Sequence, residues 1–353
     1  MSYEYLNTRL HALRAKLLPP DAWERLLGLS ELSELVNYLA ETDYAPEIEA
    51  SSVEYSGYAL VEDALLRHGG RILGRIYRMD MGEPHLLIGL VLERFDLFNL
   101  KTILRGFHAE ASQEEIAQTL YPTVLMPLSF YQELLKHEDI AGCIDYLLAV
   151  GHRDHKPLAA ALPEYDSSGK LALLESALDS FYFGSSRAKL LSMGGHNAAQ
   201  VRRALGSEAD LLNIVYALRV VEEGVSSEER YRYILAGGEN LTREFVRKLI
   251  DSGDPAVFAR LLGETPYAPL LEGFEEALAA NTLQERLESS LYERNCHFNV
   301  GQPFSIGLAL ALIWRQQVEM TNLRVITQGL AYHAARADIE RNMIRLETVN
   351  NRG

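Results

Sequence analysis

The segment Gly151-His152-Arg153-Asp154-His155-Lys156-Pro157 contains a His-Arg-Asp triplet. In a phosphotransferase that triplet supplies an Asp to accept a hydroxyl proton and an Asn five positions later to hold the metal. Here the fifth position beyond Asp154 is Ala159, and no Asp-Phe-Gly follows. His152 and His155 have metal-ligand spacing, but no Cys or further His nearby completes a set. His137-Glu138 is followed by Ala141 where a zinc-protease helix needs His. Gly169-Lys170 stands without the glycine loop that cradles phosphates, and there is no Gly-x-Ser-x-Gly elbow. These patterns predict no catalytic residue, no cofactor-binding residue and no metal site.

The elements that would carry such residues are helices. Leu26, Leu27 and Leu29 run into Leu32, Leu35, Val36 and Leu39, and Leu171, Leu173 and Leu174 lead to Leu178, Phe181 and Tyr182. Spacing of three and four marks helical faces, and sustained alternation is scarce. Pro19-Pro20, Gly69-Gly70, Gly194-Gly195 and Gly237-Gly238 read as turns and helix ends. Ser112 with Glu115, and Ser226 with Glu229, have capping-box spacing. The fold class expected is all-α.

The 353 residues carry a formal charge of −15, with 48% hydrophobic and 24% charged residues. That balance fits a globular protein and disfavours general nucleic-acid binding, which needs clustered Lys and Arg. Two cysteines, Cys143 and Cys296, make no disulfide framework and fit a reducing compartment. The opening residues reach Arg9 without an apolar stretch, so no secretory signal is expected. The longest strongly apolar run, Phe304 to Trp314, is too short for a bilayer, which takes roughly 20 residues. It is apolar on nearly every face, which predicts a core helix rather than a membrane-surface one.

The strongest signal is repetition. Asp96-Leu97-Phe98-Asn99, running on to Arg105, is echoed by Asp210-Leu211-Leu212-Asn213, running on to Arg219, and by Glu319-Met320-Thr321-Asn322, running on to Gln328. The asparagines are 114 and 109 residues apart. Thr42-Asp43-Tyr44-Ala45-Pro46 matches Thr265-Pro266-Tyr267-Ala268-Pro269, and each Tyr precedes its Asn by 55 residues. In the middle copy His155-Lys156-Pro157 sits at a similar place, displaced by three. Trp23, Tyr131 and Phe245 open a third marker, each followed by a further helix ending near Leu39, Leu147 or Leu261. The period predicts three similar helical modules about a pseudo-threefold axis, spanning 1–120, 121–235 and 236–353, with terminal elements shared between modules. An acid at i and Asn at i+3 share a helix face. Asp96, Asn99 and Arg105, with Asp210, Asn213 and Arg219 and with Glu319, Asn322 and Gln328, are therefore expected to fix helix packing rather than to bind a ligand.

The same residues carry a family resemblance. Glu93 to Gly106 resembles the first signature segment of the C/d family of V-type ATPase subunits. Gln302 to Trp314, followed by Glu319 to Gly329, resembles its C-terminal signature, and Tyr5-Leu6-Asn7-Thr8-Arg9 is similar to its start. The third copy departs from the other two, with Glu319 for Asp and Gln328 for Arg, and the segment from Tyr121-Pro122 through Pro127 has no echo. The resemblance implies a non-catalytic, all-helical funnel with a central cavity, made of three similar subdomains. It implies a place in the central stalk, between a proteolipid rotor ring and the shaft made by the D and F subunits. It also implies a cytoplasmic, peripheral location with membrane association only through the ring, and no cofactor; the isolated chain is expected to be a monomer. A helical repeat scaffold for other protein partners is the alternative, and an enzyme with a divergent site in the cavity is a further one.

Overall fold

The computed structural model describes residues 3–121, 123–224, 229–271, 280–297 and 304–344. Among them the chain is all-α, with no strand. Helix α1 (Tyr3–Arg14) opens the chain. Short helices α2 (Pro20–Leu27), α3 (Leu32–Ala40) and α4 (Ala45–Ser51) precede two long ones, α5 (Gly57–Tyr77) and α6 (Glu83–His108). After α7 (Gln113–Thr119) the order recurs. Helices α8 (Leu128–Leu134), α9 (Ile140–Ala149) and α10 (His155–Ser168) lead to the long α11 (Ala172–Met193) and α12 (Gly195–Glu223). A third round follows the turn Glu229–Tyr231: α13 (Arg243–Ile250), α14 (Pro255–Leu262), a turn at Ala268–Leu271, then α15 (Ala280–Cys296), α16 (Gly307–Ala331) and α17 (Arg336–Asn342).

Local chemistry accounts for the short helices. Pro20 sits at the first position of α2, where a missing N–H costs nothing. Ser112 and Glu115 form the expected reciprocal capping box on α7. Thr242 caps α13 through the Phe245 N–H, and Asp254 caps α14 through the Ala256 and Val257 N–H groups. Ser226 lies outside the described residues, and the box expected with Glu229 lies there with it.

Two glycine pairs depart from expectation. Gly69-Gly70 lies inside α5, not at a helix end. A Cβ on Gly69 would lie 3.0 Å from the Tyr121 hydroxyl oxygen, so a close tertiary contact accounts for the residue. Gly237-Gly238 ends no helix either, and its role is described below. Gly194 does cap α11 and opens directly into α12.

Packing divides the chain into two compact units, Met1–Gly89 with Tyr121–Val124 and Tyr292–Gly353, and Leu90–Leu120 with Leu125–Leu291. In the first, α16 is the core helix, packed by α5, α1, α17 and α3. Every residue from Leu308 to Trp314 is buried, as the apolar run predicts. Phe304, before the helix begins, is 65% exposed. In the second, α12 holds the same position against α11, α13 and α14.

Candidate functional site

The three acid–Asn helices are α6, α12 and α16. Asp210 on α12 is fully buried. Its carboxylate accepts the backbone N–H groups of Glu239, Asn240 and Leu241 at 3.2, 2.7 and 3.2 Å. It also accepts the Tyr267 hydroxyl at 2.8 Å. Burial pushes its pKa up, and these four donors oppose that rise. Gly237-Gly238 lets the loop wrap the acid this closely. A Cβ on Gly238 would lie 2.2 Å from Asp210 Oδ1.

Glu319 on α16 accepts the Leu18 N–H at 2.6 Å and the Tyr44 hydroxyl at 2.9 Å. Asp96 on α6 accepts the Tyr131 hydroxyl. Each acid thus meets a tyrosine carried on or beside the short helices of the next copy, the first copy following the third. The middle donor departs from the sequence register: Tyr131 on α8 supplies it, not His155. Each clasp joins residues from two of the ranges 1–120, 121–235 and 236–353.

The asparagines work along the chain. Asn213 Oδ1 accepts the Leu235 N–H at 2.8 Å, and Nδ2 donates to the Leu235 carbonyl at 3.1 Å. Asn322 makes the same two bonds to Ile344, at 2.8 and 2.9 Å. Both partners lie 22 residues beyond their Asn. An amide side chain is the group that satisfies a backbone donor and acceptor together. Asn99 is fully buried on α6.

A third regularity sits at the helix ends. Eleven residues beyond each Asn the backbone turns left-handed: Glu110 at φ 54°, Gly224 at 62° and His333 at 52°. Gly106 and Gly329, seven beyond Asn99 and Asn322, receive isoleucines from the following short helices. A Cβ there would lie 2.3 Å from Ile116 and 2.4 Å from Ile339, respectively. The repeat pattern in the sequence aligns the helices as far as Gly106 and Gly329 but not the left-handed positions beyond them.

The last members of the repeated set are exposed. Arg105 pairs with Glu175, Arg219 donates to Gln284 at 2.6 Å, and Gln328 lies 3.5 Å from the Tyr58 hydroxyl. They belong to the outer side of the helices whose inner side carries acid and Asn. Replacing Asn213 by Ala leaves the Leu235 N–H and C=O buried without this partner. The expected loss is about 2–3 kcal/mol of unfolding free energy, read by urea titration.

The motifs set aside on sequence are spent on structure. Arg153 pairs with Glu93 at 3.1 Å, donates to Ser185 at 2.8 Å and lies over the Phe181 ring. His155 Nδ1 lies 2.6 Å from the His152 carbonyl. Burial lowers the His152 pKa and raises that of Asp154. No group of three or more His, Cys, Asp or Glu poised for a metal occurs among the described residues. No helix among them is long and apolar enough to cross a membrane.

The architecture defines an all-helical protein in which one acid–Asn helix, with its trailing turn, is built three times. The family described as ATP synthase (C/AC39) subunit matches residues 6–342, and the chain belongs to that family. The C subunit of the A-type ATP synthase of Methanosarcina acetivorans is 29% identical over 332 residues, covering 93% of this chain and 89% of the relative. That of Methanococcoides burtonii is 26% identical over 350 residues, covering 99% and 94%. That of Methanocaldococcus jannaschii is 26% identical over 331 residues, covering 93% and 82%.

Proposed function

We propose that this chain is the non-catalytic central-stalk component of an A/V-type rotary ATPase, seated between the proteolipid ring and the shaft made by the D and F subunits. Three similar helical modules form a funnel around a central cavity, the wide end on the ring and the opening around the shaft. The protein sits on the cytoplasmic face, touches the membrane only through the ring, and is a monomer when isolated. The supporting observation is the repeated clasp within a chain matched over 6–342 by the ATP synthase family.

The work is mechanical. Torque must cross the protein without slip, and close-packed interiors transmit strain because they resist compression. Buried acids tied to tyrosines and backbone fix helix register in addition to the apolar core. The nine repeated residues serve this rigidity and contact no ligand. With a net charge of −15, docking on ring and shaft is steered by charge and weakens with salt.

Purification of the tagged chain from its native membrane tests this. Recovery with the hydrolytic head and the ring at low salt, and release as salt rises, is the expected result. Recovery with unrelated partners instead makes the chain a general helical scaffold and overturns the proposal.

A further inference from the structure

The third clasp differs from the other two in what surrounds it. Glu319 is 3% exposed, and no basic side chain pairs with it among the described residues. Its donors are the Leu18 N–H, between α1 and α2, and the Tyr44 hydroxyl, at the start of α4. The Tyr44 ring itself stacks on His68 of α5, centroids 3.7 Å apart and planes 20° from parallel. His68 is 1% exposed. Gln316 of α16 brings its amide nitrogen 3.3 Å from His68 Nδ1, and Nε2 faces Asp43 at 3.4 Å. A neutral ring with its hydrogen on Nε2 lets Nδ1 accept from the Gln316 amide and leaves Nε2 beside Asp43 without an aligned hydrogen bond.

The remaining charges are committed around this core. Arg71 of α5 pairs with Glu47 of α4 and with Asp43, and Lys16 pairs with Asp43 at 2.6 Å. Tyr121 adds electrostatically to the rise of the Tyr44 pKa. One tyrosine therefore separates two buried titratable groups, and both lie at the seam where the N-terminal helices meet the C-terminal core helix.

We propose that Glu319 and His68 form a proton-balanced clasp: the seam holding α1–α4 against α16 stays closed to the same degree from acid to neutral pH because the two groups answer protons in opposite directions, and loss of either turns the seam into a pH switch.

The signs follow from burial. Burial pushes the Glu319 carboxyl up to about 7, so the closed seam holds its proton. Its contribution is complete below the ordinary carboxylate range and is lost as pH rises through about 7. Burial and Arg71 push the His68 imidazole down to about 4, so the closed seam holds it neutral. Its contribution is complete above the ordinary imidazole range and is lost as pH falls through about 4. Tyr44 is held far above its usual range and stays neutral throughout, and Asp43 is lowered by Lys16 and Arg71 and stays charged. The two losses fall in overlapping windows and offset each other.

Hydrogen exchange of the full-length chain between pH 5 and 8, expressed as protection factors for Leu18 and for the amides of α3 and α4, tests the proposal. In the wild type these factors change less than roughly fivefold, by offset of the two linkages. In Glu319→Gln, which keeps an acceptor for Leu18 and a partner for Tyr44, protection falls as pH drops, by roughly 30-fold. In His68→Asn it falls as pH rises, by roughly 70-fold. Slopes of the same sign in the two variants, or flat profiles in both, overturn the clasp. If either variant does not fold, the wild-type His68 ring followed by NMR decides. A ring still neutral at pH 5 in the folded chain supports the clasp, and an ordinary imidazole titration there overturns it.

Discussion

Asp210→Ala is expected to cost about 3–5 kcal/mol of unfolding free energy, the largest loss of any single substitution in the clasps. Four donors converge on this carboxylate: three consecutive backbone N–H groups and one tyrosine hydroxyl. Alanine removes their shared acceptor at a buried position; of the backbone donors, the Glu239 N–H keeps the Gly206 carbonyl at 3.2 Å. An unpaired buried donor costs about 1–3 kcal/mol, and partial relaxation of the loop keeps the sum below four such terms. Asp210→Asn retains one carbonyl oxygen but points an amide N–H at donors, so it recovers about half. Urea unfolding gives the magnitude. Exchange at the Glu239, Asn240 and Leu241 amides locates it, because those protons lose protection first. A loss below about 1 kcal/mol with unchanged protection there contradicts this account of the loop.

The loop also shows why its glycines resist sequence reading. Gly237-Gly238 has the composition of a helix end, yet it is a wrapper around an acid 28 residues earlier in the chain. Gly69-Gly70 has the same composition and lies within α5, against Tyr121. In both cases the lack of a side chain answers a tertiary neighbour that composition does not name. The helices are different. Their three- and four-residue spacing, their caps and the all-buried run after Ile306 were legible because each rests on local periodicity or on a residue within a turn.

The repeat lay between these cases. Asn213 and Asn322 stand out in sequence because bonding a backbone donor and acceptor at once tolerates few other side chains. Tyr44 and Tyr267 stand out as markers, and Glu319 and Asp210 as repeated acids, but nothing in the sequence pairs the tyrosines with the acids. Tyr44 reaches an acid 275 residues away and Tyr267 one 57 residues away. The middle copy satisfies the same need with Tyr131, from a different helix. A hydroxyl donor can come from any residue whose tip reaches the acid, so its sequence position drifts while the bond persists. The left-handed position eleven beyond each Asn was hidden for a similar reason. Two of its three occupants, Glu110 and His333, are not glycine.

Gly106→Ala and Gly329→Ala are each expected to cost about 1–3 kcal/mol, and to do so through matching contacts. The added methyl would sit 2.3 Å from Ile116 in the first case and 2.4 Å from Ile339 in the second. The near atoms are Cγ1 and the terminal Cδ1 of a β-branched side chain; Cδ1 can swing away, but Cγ1 has few rotamers in which to withdraw. The helix itself gains from Ala over Gly by about 1 kcal/mol, so the net loss understates the clash. Shrinking the partner separates the terms. Ile116→Ala alone opens a cavity and costs about 2–5 kcal/mol. Combined with Gly106→Ala, the new methyl fills part of that cavity, and the double variant is expected to lose about 1–2 kcal/mol less than the sum of the singles. The Gly329–Ile339 cycle should return a coupling of the same sign and similar size, because α7 and α17 dock on α6 and α16 through the same glycine–isoleucine register. Additive losses in either cycle, measured by urea unfolding of the full chain, would show that the paired glycines do not serve one repeated packing role.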